Sequence, residues 1–227
     1  MTHGHADGDL TAARPILIED ATVSEVVVYQ FRIWLREISP MIWRRVQLRS
    51  EQTLADLHYT LQIGFGWTDF HLHRFALHGK EYGIPRIGGP WYTTNARHVR
   101  LADLRLRHRE RFVYEYDFGD SWVHEIRLEQ TIPLAERHTY PRCTGGARAG
   151  PPEDCGGPWA YLALRQHSSP FHIAEQLVDL INDRDRDDAQ EALATLGYWL
   201  NCDHFDRRAV NRRLQLYAAG DDGWQAD

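Results

Sequence analysis

Between Phe112 and Leu128 the chain is written in a period of two. Phe112, Tyr114, Tyr116 and Phe118 alternate with Val113, Glu115 and Asp117, and Trp122, His124, Ile126 and Leu128 alternate with Val123, Glu125 and Arg127. That period marks half-buried strands, and Gly119-Asp120 between the runs marks a hairpin. Loop length then decides which side chains share a face. A two-residue loop sets Phe112, Tyr114 and Tyr116 opposite Ser121, Val123 and Glu125 and wastes the apolar pattern. An odd-length loop sets them beside Trp122, His124, Ile126 and Leu128, and burial selects that register because a one-residue slip turns every side chain over. It places His124 on the aromatic face, Asp117 in the turn or on the other face, and Asp117 with Asp120 at the hairpin tip.

The flanking segments supply the rest of a sheet and its cover. Val27, Tyr29, Phe31, Ile33 and Leu35 predict a first strand, and Met41 to Leu48 predict a second. Arg44 and Arg45 must point to opposite faces of that strand, so at most one of them serves any given site. Thr53 and Asp56 have the spacing of a capping box for a helix carrying Leu54, Leu57, His58 and Leu61, with His58 hydrogen-bonded at the core edge. His71 to Leu77 read as a strand, with His71 and His73 on one face. Tyr82 to Asn95 and the Gly- and Pro-rich stretch Tyr140 to Gly157 read as long loops. Helical patterns follow at Trp159–Leu164, at Phe171–Ile181 (Phe171, Ala174, Leu177 and Leu180 on one side), at 189–200 and from Phe205 to Tyr217. The expected fold is α+β: an antiparallel β-sheet of hairpins with flanking helices and a helical C-terminal part at about 159–217. One domain is expected over 21–217, between tails at 1–20 and 218–227.

A net charge of −6 leaves no general attraction for nucleic acid, so any polyanion site must be local. Arg97, Arg100, Arg105, Arg107, Arg109 and Arg111 form one basic stretch, which reads first as a solvated face and second as a phosphate-binding strip. Cys143, Cys155 and Cys202, without a signal peptide or long apolar run, point to a reducing, cytoplasmic setting and no membrane. No P-loop, dinucleotide-binding glycine pattern or Ser-His-Asp order is present. The Asp117-Phe118-Gly119 string lacks the other kinase segments.

Several motifs occur together in order: Tyr29-Gln-Phe-Arg-Ile33, Ile42-Trp-Arg-Arg-Val46, Gly66-Trp67 with His71-Leu-His-Arg-Phe75, Tyr114-Glu-Tyr-Asp-Phe-Gly-Asp120 with Trp122 and His124, and Pro151-Pro-Glu-Asp-Cys-Gly-Gly157. In this the chain resembles the plasmid pRiA4b ORF-3-like family, which includes proteins labelled insertion-element passenger TnpR. The resemblance covers about Val27 to Leu214. It implies an α+β domain carried on plasmids and mobile elements, and no resolvase mechanism, since the serine-recombinase organisation is not visible. Gly150 stands where relatives commonly have cysteine, and Ala160 replaces a usual glycine. The missing cysteine weakens a thiolate metal site.

Two functions from different classes fit these residues. The first is an accessory binding module for nucleic acid or a protein partner, using Arg44 or Arg45 with Trp67 and Trp122 among a groove of aromatics that includes Trp43, Trp91 and Tyr92. The alternative is a metal-dependent hydrolase or phosphotransfer enzyme. There His71, His73 and His124 would hold a divalent metal ion, and Asp117, Asp120, His124, Glu153 and Asp154 are the catalytic candidates. Taken alone, the His71–His73 pair reads first as structural hydrogen-bonding and only second as metal ligands.

Overall fold

The structure, a computed structural model, describes Met1 and residues 25–183 and 186–225; apart from Met1, the expected tail at 1–20, with His3 and His5, lies outside them. Eight strands form one sheet: β1 (Val27–Leu35), β2 (Trp43–Arg49), β3 (His73–Leu77), β4 (Lys80–Gly83), β5 (Thr94–Asn95), β6 (Arg111–Tyr116), β7 (Trp122–Pro133) and β8 (Arg142–Ala147). Their order is β5-β4-β3-β6-β7-β1-β2-β8, antiparallel except for the β4–β5 pair. With helices gathered along the C-terminal part, the chain is α+β.

The central hairpin takes the odd-length loop. Tyr116 pairs with Trp122, Tyr114 with His124 and Phe112 with Ile126, leaving residues 117–121 as the turn. All six paired side chains are buried. Phe118 departs from the pattern: it lies in the turn, partly exposed, with the Arg74 guanidinium 5.7 Å from its ring. In β1 the strict alternation also breaks. Gln30 pairs with Gln130 but Phe31 pairs with Leu128, so Glu129 is the extra residue of a bulge. The bulge lies in β7; Tyr29 stays on the core side beside Phe31, half-buried, while Val28 is buried outside the core cluster.

The Gly-rich stretch is not wholly irregular, as its composition had suggested. Its residues Arg142–Ala147 pair with β2 at the sheet edge. Glycine is needed there because the Phe205 ring lies across the backbone: a Cβ on Gly146 would sit 2.4 Å from it. The expected loop after Tyr82 likewise contributes β5, which pairs with the end of β4.

Among the described residues five helices follow the sequence pattern: α1 (Leu54–Phe65), α2 (Gly157–His167), α3 (Pro170–Asn182), α4 (Ala189–Asn201) and α5 (Arg207–Ala218). The capping box of α1 is formed. Thr53 Oγ1 accepts from the Asp56 amide at 3.1 Å, and Asp56 Oδ2 accepts from the Thr53 amide at 2.6 Å. Thr53→Ala is expected to cost about 1 kcal/mol in urea denaturation, and an unchanged midpoint would count against the cap. On α3 the buried residues are Ile173 and Leu180, whereas Phe171 is exposed. Trp224, within the expected C-terminal tail, is buried against Tyr59 and Tyr217. No helix among the described residues is long and apolar enough to cross a membrane.

One sheet face, with Phe31, Val46, Phe75, Tyr114 and Ile126, packs into the core with Leu57, Leu61 and Trp67. The other presents Arg32, Trp34, Trp43, Arg45, Glu125 and Arg127, all half-buried. Their ion pairs run to neighbours on the same face.

Candidate functional site

Two surfaces concentrate chemistry: the sheet edge at the hairpin tip and the open sheet face. At the edge three segments meet. The Asp117 amide donates to the Leu72 carbonyl at 2.9 Å, tying the turn to the chain entering β3. Asp117 Oδ1 accepts from the Gly119 and Asp120 amides at 3.0 and 3.3 Å. Asp120 Oδ2 accepts from the Gly156 amide at 3.1 Å, and Trp67 Nε1 donates to the Pro151 carbonyl at 2.9 Å, so the Pro-Gly segment is clamped from both sides. Gly150 allows that clamp: a Cβ there would lie 2.0 Å from the Phe65 carbonyl oxygen. Cysteine cannot replace it on this backbone.

Glu153 accepts from the Tyr116 hydroxyl and from Thr68 Oγ1 at 2.7 Å, so it braces the edge. Burial, reinforced by that carboxylate, pushes the Tyr116 pKa up. Asp154 projects outward. His71 Nε2 stands 3.0 Å from Asp154 Oδ1 and 3.7 Å from Asp117 Oδ2. Thus His71, Asp117 and Asp154 converge, with Asp120 and Glu153 holding the segments that carry them.

His73 and His124 do not join them, which corrects the expected histidine trio. The strand begins at His73, so His71 precedes the pleat and escapes its facing rule. His73 is buried, its ring stacked on that of His58 at 3.6 Å. His124 is buried elsewhere, walled by Phe65 and Trp67, with Nδ1 3.0 Å from the Trp122 carbonyl. Burial lowers the His124 pKa to about 3 and lowers those of His58 and His73 well below the ordinary imidazole value.

His58 sits deeper than the core edge expected for it and is fully hydrogen-bonded. The Asp69 amide donates to Gln62 Oε1, which directs Gln62 Nε2 to the Tyr114 hydroxyl. That hydroxyl then donates to His58 Nδ1 at 2.8 Å, and His58 Nε2 donates to Asp69 Oδ1 at 2.8 Å. Arg86 completes the network on Asp69. Sequence spacing gave no reason to join His58 with Asp69.

The expected binding residues divide as their strand requires. Arg44 faces inward, 1% exposed, donating to the Gly64, Trp43 and Ala147 carbonyls between the Phe65 and Phe205 rings. Burial lowers its pKa to about 10. Trp67 and Trp122 are fully buried and cannot line a surface groove. Arg45 faces outward, and there the pairing aligns four arginines. Arg45 opposes Arg32, Arg32 opposes Arg127, and Arg127 opposes Arg111, across β2, β1, β7 and β6. Beside them Trp43 opposes Trp34.

Like charges placed directly opposite repel. Two acids offset part of this row: Glu129 accepts from Arg45 at 2.6 Å and lies 3.6 Å from Arg127, and Glu125 accepts from Arg111 at 2.6 Å. The Glu129 hydrogen bond raises the Arg45 pKa. Arg32 makes no salt bridge among the described residues, though its charge helps lower the Glu129 pKa; its guanidinium lies 4.8 Å from the Trp43 ring. Arg45, His108, Arg109, Arg127 and Glu129 line an adjoining depression of about 590 Å³. Sequence reasoning singled out Arg45 and Arg111 but not Arg32, Arg127 or Trp34. The available signal was the run Gln30, Arg32, Trp34 on the non-core positions of β1.

The plasmid pRiA4b ORF-3-like protein family matches residues 27–213. This chain belongs to that family. An uncharacterized protein of Sinorhizobium fredii, y4hQ, is 31% identical over 198 residues, covering 86% of this chain and 91% of its own. The crystal structure of a protein of unknown function from Methanosarcina mazei Go1 superposes with a TM-score of 0.59 at 29% identity, covering 82% of this chain and 98% of that one. In this pRiA4b ORF-3-like chain, both the His71–Asp117–Asp154 edge and the arginine row lie within the matched residues.

Proposed function

We propose that this pRiA4b ORF-3-like protein is an accessory binding module of plasmids and mobile elements that holds single-stranded nucleic acid on its open sheet face. The observation that carries this reading is the cross-strand row Arg45–Arg32–Arg127–Arg111. Strands lie ~4.8 Å apart, so the row is about 14 Å long, a stripe that follows a phosphate backbone. Trp34 and Trp43 run parallel to it, and bases stack on indole and guanidinium planes without sequence preference. The overall charge of −6 confines attraction to this local stripe. Three cysteines with no disulfide agree with a reducing, cytoplasmic setting. The metal-dependent hydrolase or phosphotransfer reading draws on the separate His71–Asp117–Asp154 edge, favoured by its convergence.

Fluorescence anisotropy with labelled single-stranded DNA and RNA tests the binding role. Affinity is expected to fall with salt, at a slope near −0.7 per phosphate neutralised, or roughly −1.4 to −2.8 for two to four contacts. Arg32→Glu with Arg127→Glu should abolish the signal while the fold is retained by circular dichroism. No binding at low ionic strength, or equal binding by the double variant, would refute the proposal.

A further inference from the structure

We infer that His71, Asp117 and Asp154 form a binding site for a single divalent first-row cation, Mn²⁺ or Zn²⁺, at the sheet edge. The inference does not depend on the nucleic-acid face. Its first support is spacing. Ligand atoms bonded at about 2.1 Å to one cation lie about 3.0–3.4 Å apart, for octahedral to tetrahedral angles. Asp154 Oδ1 and Asp117 Oδ2 are 3.0 and 3.7 Å from His71 Nε2, and all three atoms lie within 4.8 Å of one another.

The second support is independent of spacing. His71 Nε2 is buried and makes no hydrogen bond, even though a carboxylate oxygen stands 3.0 Å away. At 3.0 Å only the angle prevents a hydrogen bond, so the Asp154 oxygen lies off the line of an N–H. That placement suits an Nε2 lone pair directed at a point between the groups. The Asp117 side chain is nine-tenths buried, and its Oδ2 has no hydrogen-bonding partner among the described residues, because Oδ1 takes both turn amides. Those amides fix the carboxylate with its free oxygen aimed at His71, the orienting role that outer-shell hydrogen bonds play at metal sites.

The donor set is one imidazole and two carboxylates. Carboxylates favour Mn²⁺ and Mg²⁺, imidazole favours Zn²⁺, and thiolate is absent from the three ligands. Asp154 is 73% exposed, so the remaining coordination positions face solvent and would hold water or an anionic ligand. The buried His58–Asp69–His73 group is a poorer choice: His58 Nε2 gives its proton to Asp69, and the Arg86 guanidinium already neutralises that carboxylate.

Isothermal titration calorimetry of the full chain with MnCl₂ and ZnCl₂ tests the site, in a background carrying His3→Ala and His5→Ala to remove terminal histidine binding. One-to-one binding is expected. Asp154→Asn, on an exposed side chain that leaves the fold alone, should weaken it about tenfold or more, as should His71→Gln. Glu51→Gln, at an exposed carboxylate paired with Arg49 outside the cluster, should leave it unchanged. Absence of binding by either ion at millimolar concentration would overturn the inference. Binding that survives both Asp154→Asn and His71→Gln would also overturn it.

Discussion

Lowering the pH from 7 to 5.5 is expected to remove more than about 1 kcal/mol of folding stability, the share of His124 alone, with His58 and His73, also kept neutral in the folded chain, adding in the same direction. Burial lowers the pKa of His124 to about 3, and lowers those of His58 and His73 well below 6.5. Arg44 adds to the effect at His124, and Arg86 and Arg97 add to it at the stacked pair, where Asp69 partly opposes it at His73. Well above pH 7 these rings are neutral in both states and make no difference between them. As the pH falls through about 6.5, the unfolded chain takes up protons that the folded chain refuses, and stability falls by about 1.4 kcal/mol per pH unit for each ring. For His124 the loss continues down to about pH 3. The window from pH 7 to 5.5 lies above the ordinary carboxylate range, so it isolates the imidazoles. Urea denaturation at half-unit pH steps measures the slope. His124→Gln should make it shallower. A loss below about 1 kcal/mol across the window would contradict the burial of these rings in neutral form.

Trp67→Ala is the second large expectation, a loss of about 3–5 kcal/mol. The indole is 0% exposed and stacks on Phe65 at 5.3 Å and Tyr116 at 4.9 Å. Its removal leaves a cavity between α1 and the hairpin and strips the Pro151 carbonyl of its donor. Two consequences separate: the urea midpoint should fall steeply, while the nucleic-acid affinity of the protein that remains folded should not change. A loss below about 1.5 kcal/mol would show that the core is not built around this ring. Lost binding with stability intact would return Trp67 to a binding groove.

How much was legible follows from the range over which each signal acts. The hairpin register could be read because burial acts on a local alternation, and Tyr114, Tyr116, Trp122 and His124 took the positions it required. The capping box and the opposed facing of Arg44 and Arg45 are likewise local and were readable. The histidine pair was not. His71 and His73 share a face only if the strand includes both, and β3 begins at His73. The bulge at Glu129 was hidden because it needs the partner strand to define it. β8 was hidden because its glycines are explained by the Trp43 and Phe205 rings packed over them, and Phe205 arrives from the far C-terminal part.

By itself the sequence determined the α+β class, the aromatic hairpin and the family, since hydrophobic period, caps and linked motifs are properties of short stretches of chain. Only the tertiary structure decided which residues became neighbours. It brought His71 to Asp117 and Asp154, hid His124 and Trp122, and laid Arg32 and Arg127 between Arg45 and Arg111. The physical reason is that cross-strand register and loop clamping are set by the burial of the whole sheet, a sum over distant residues that no local pattern contains.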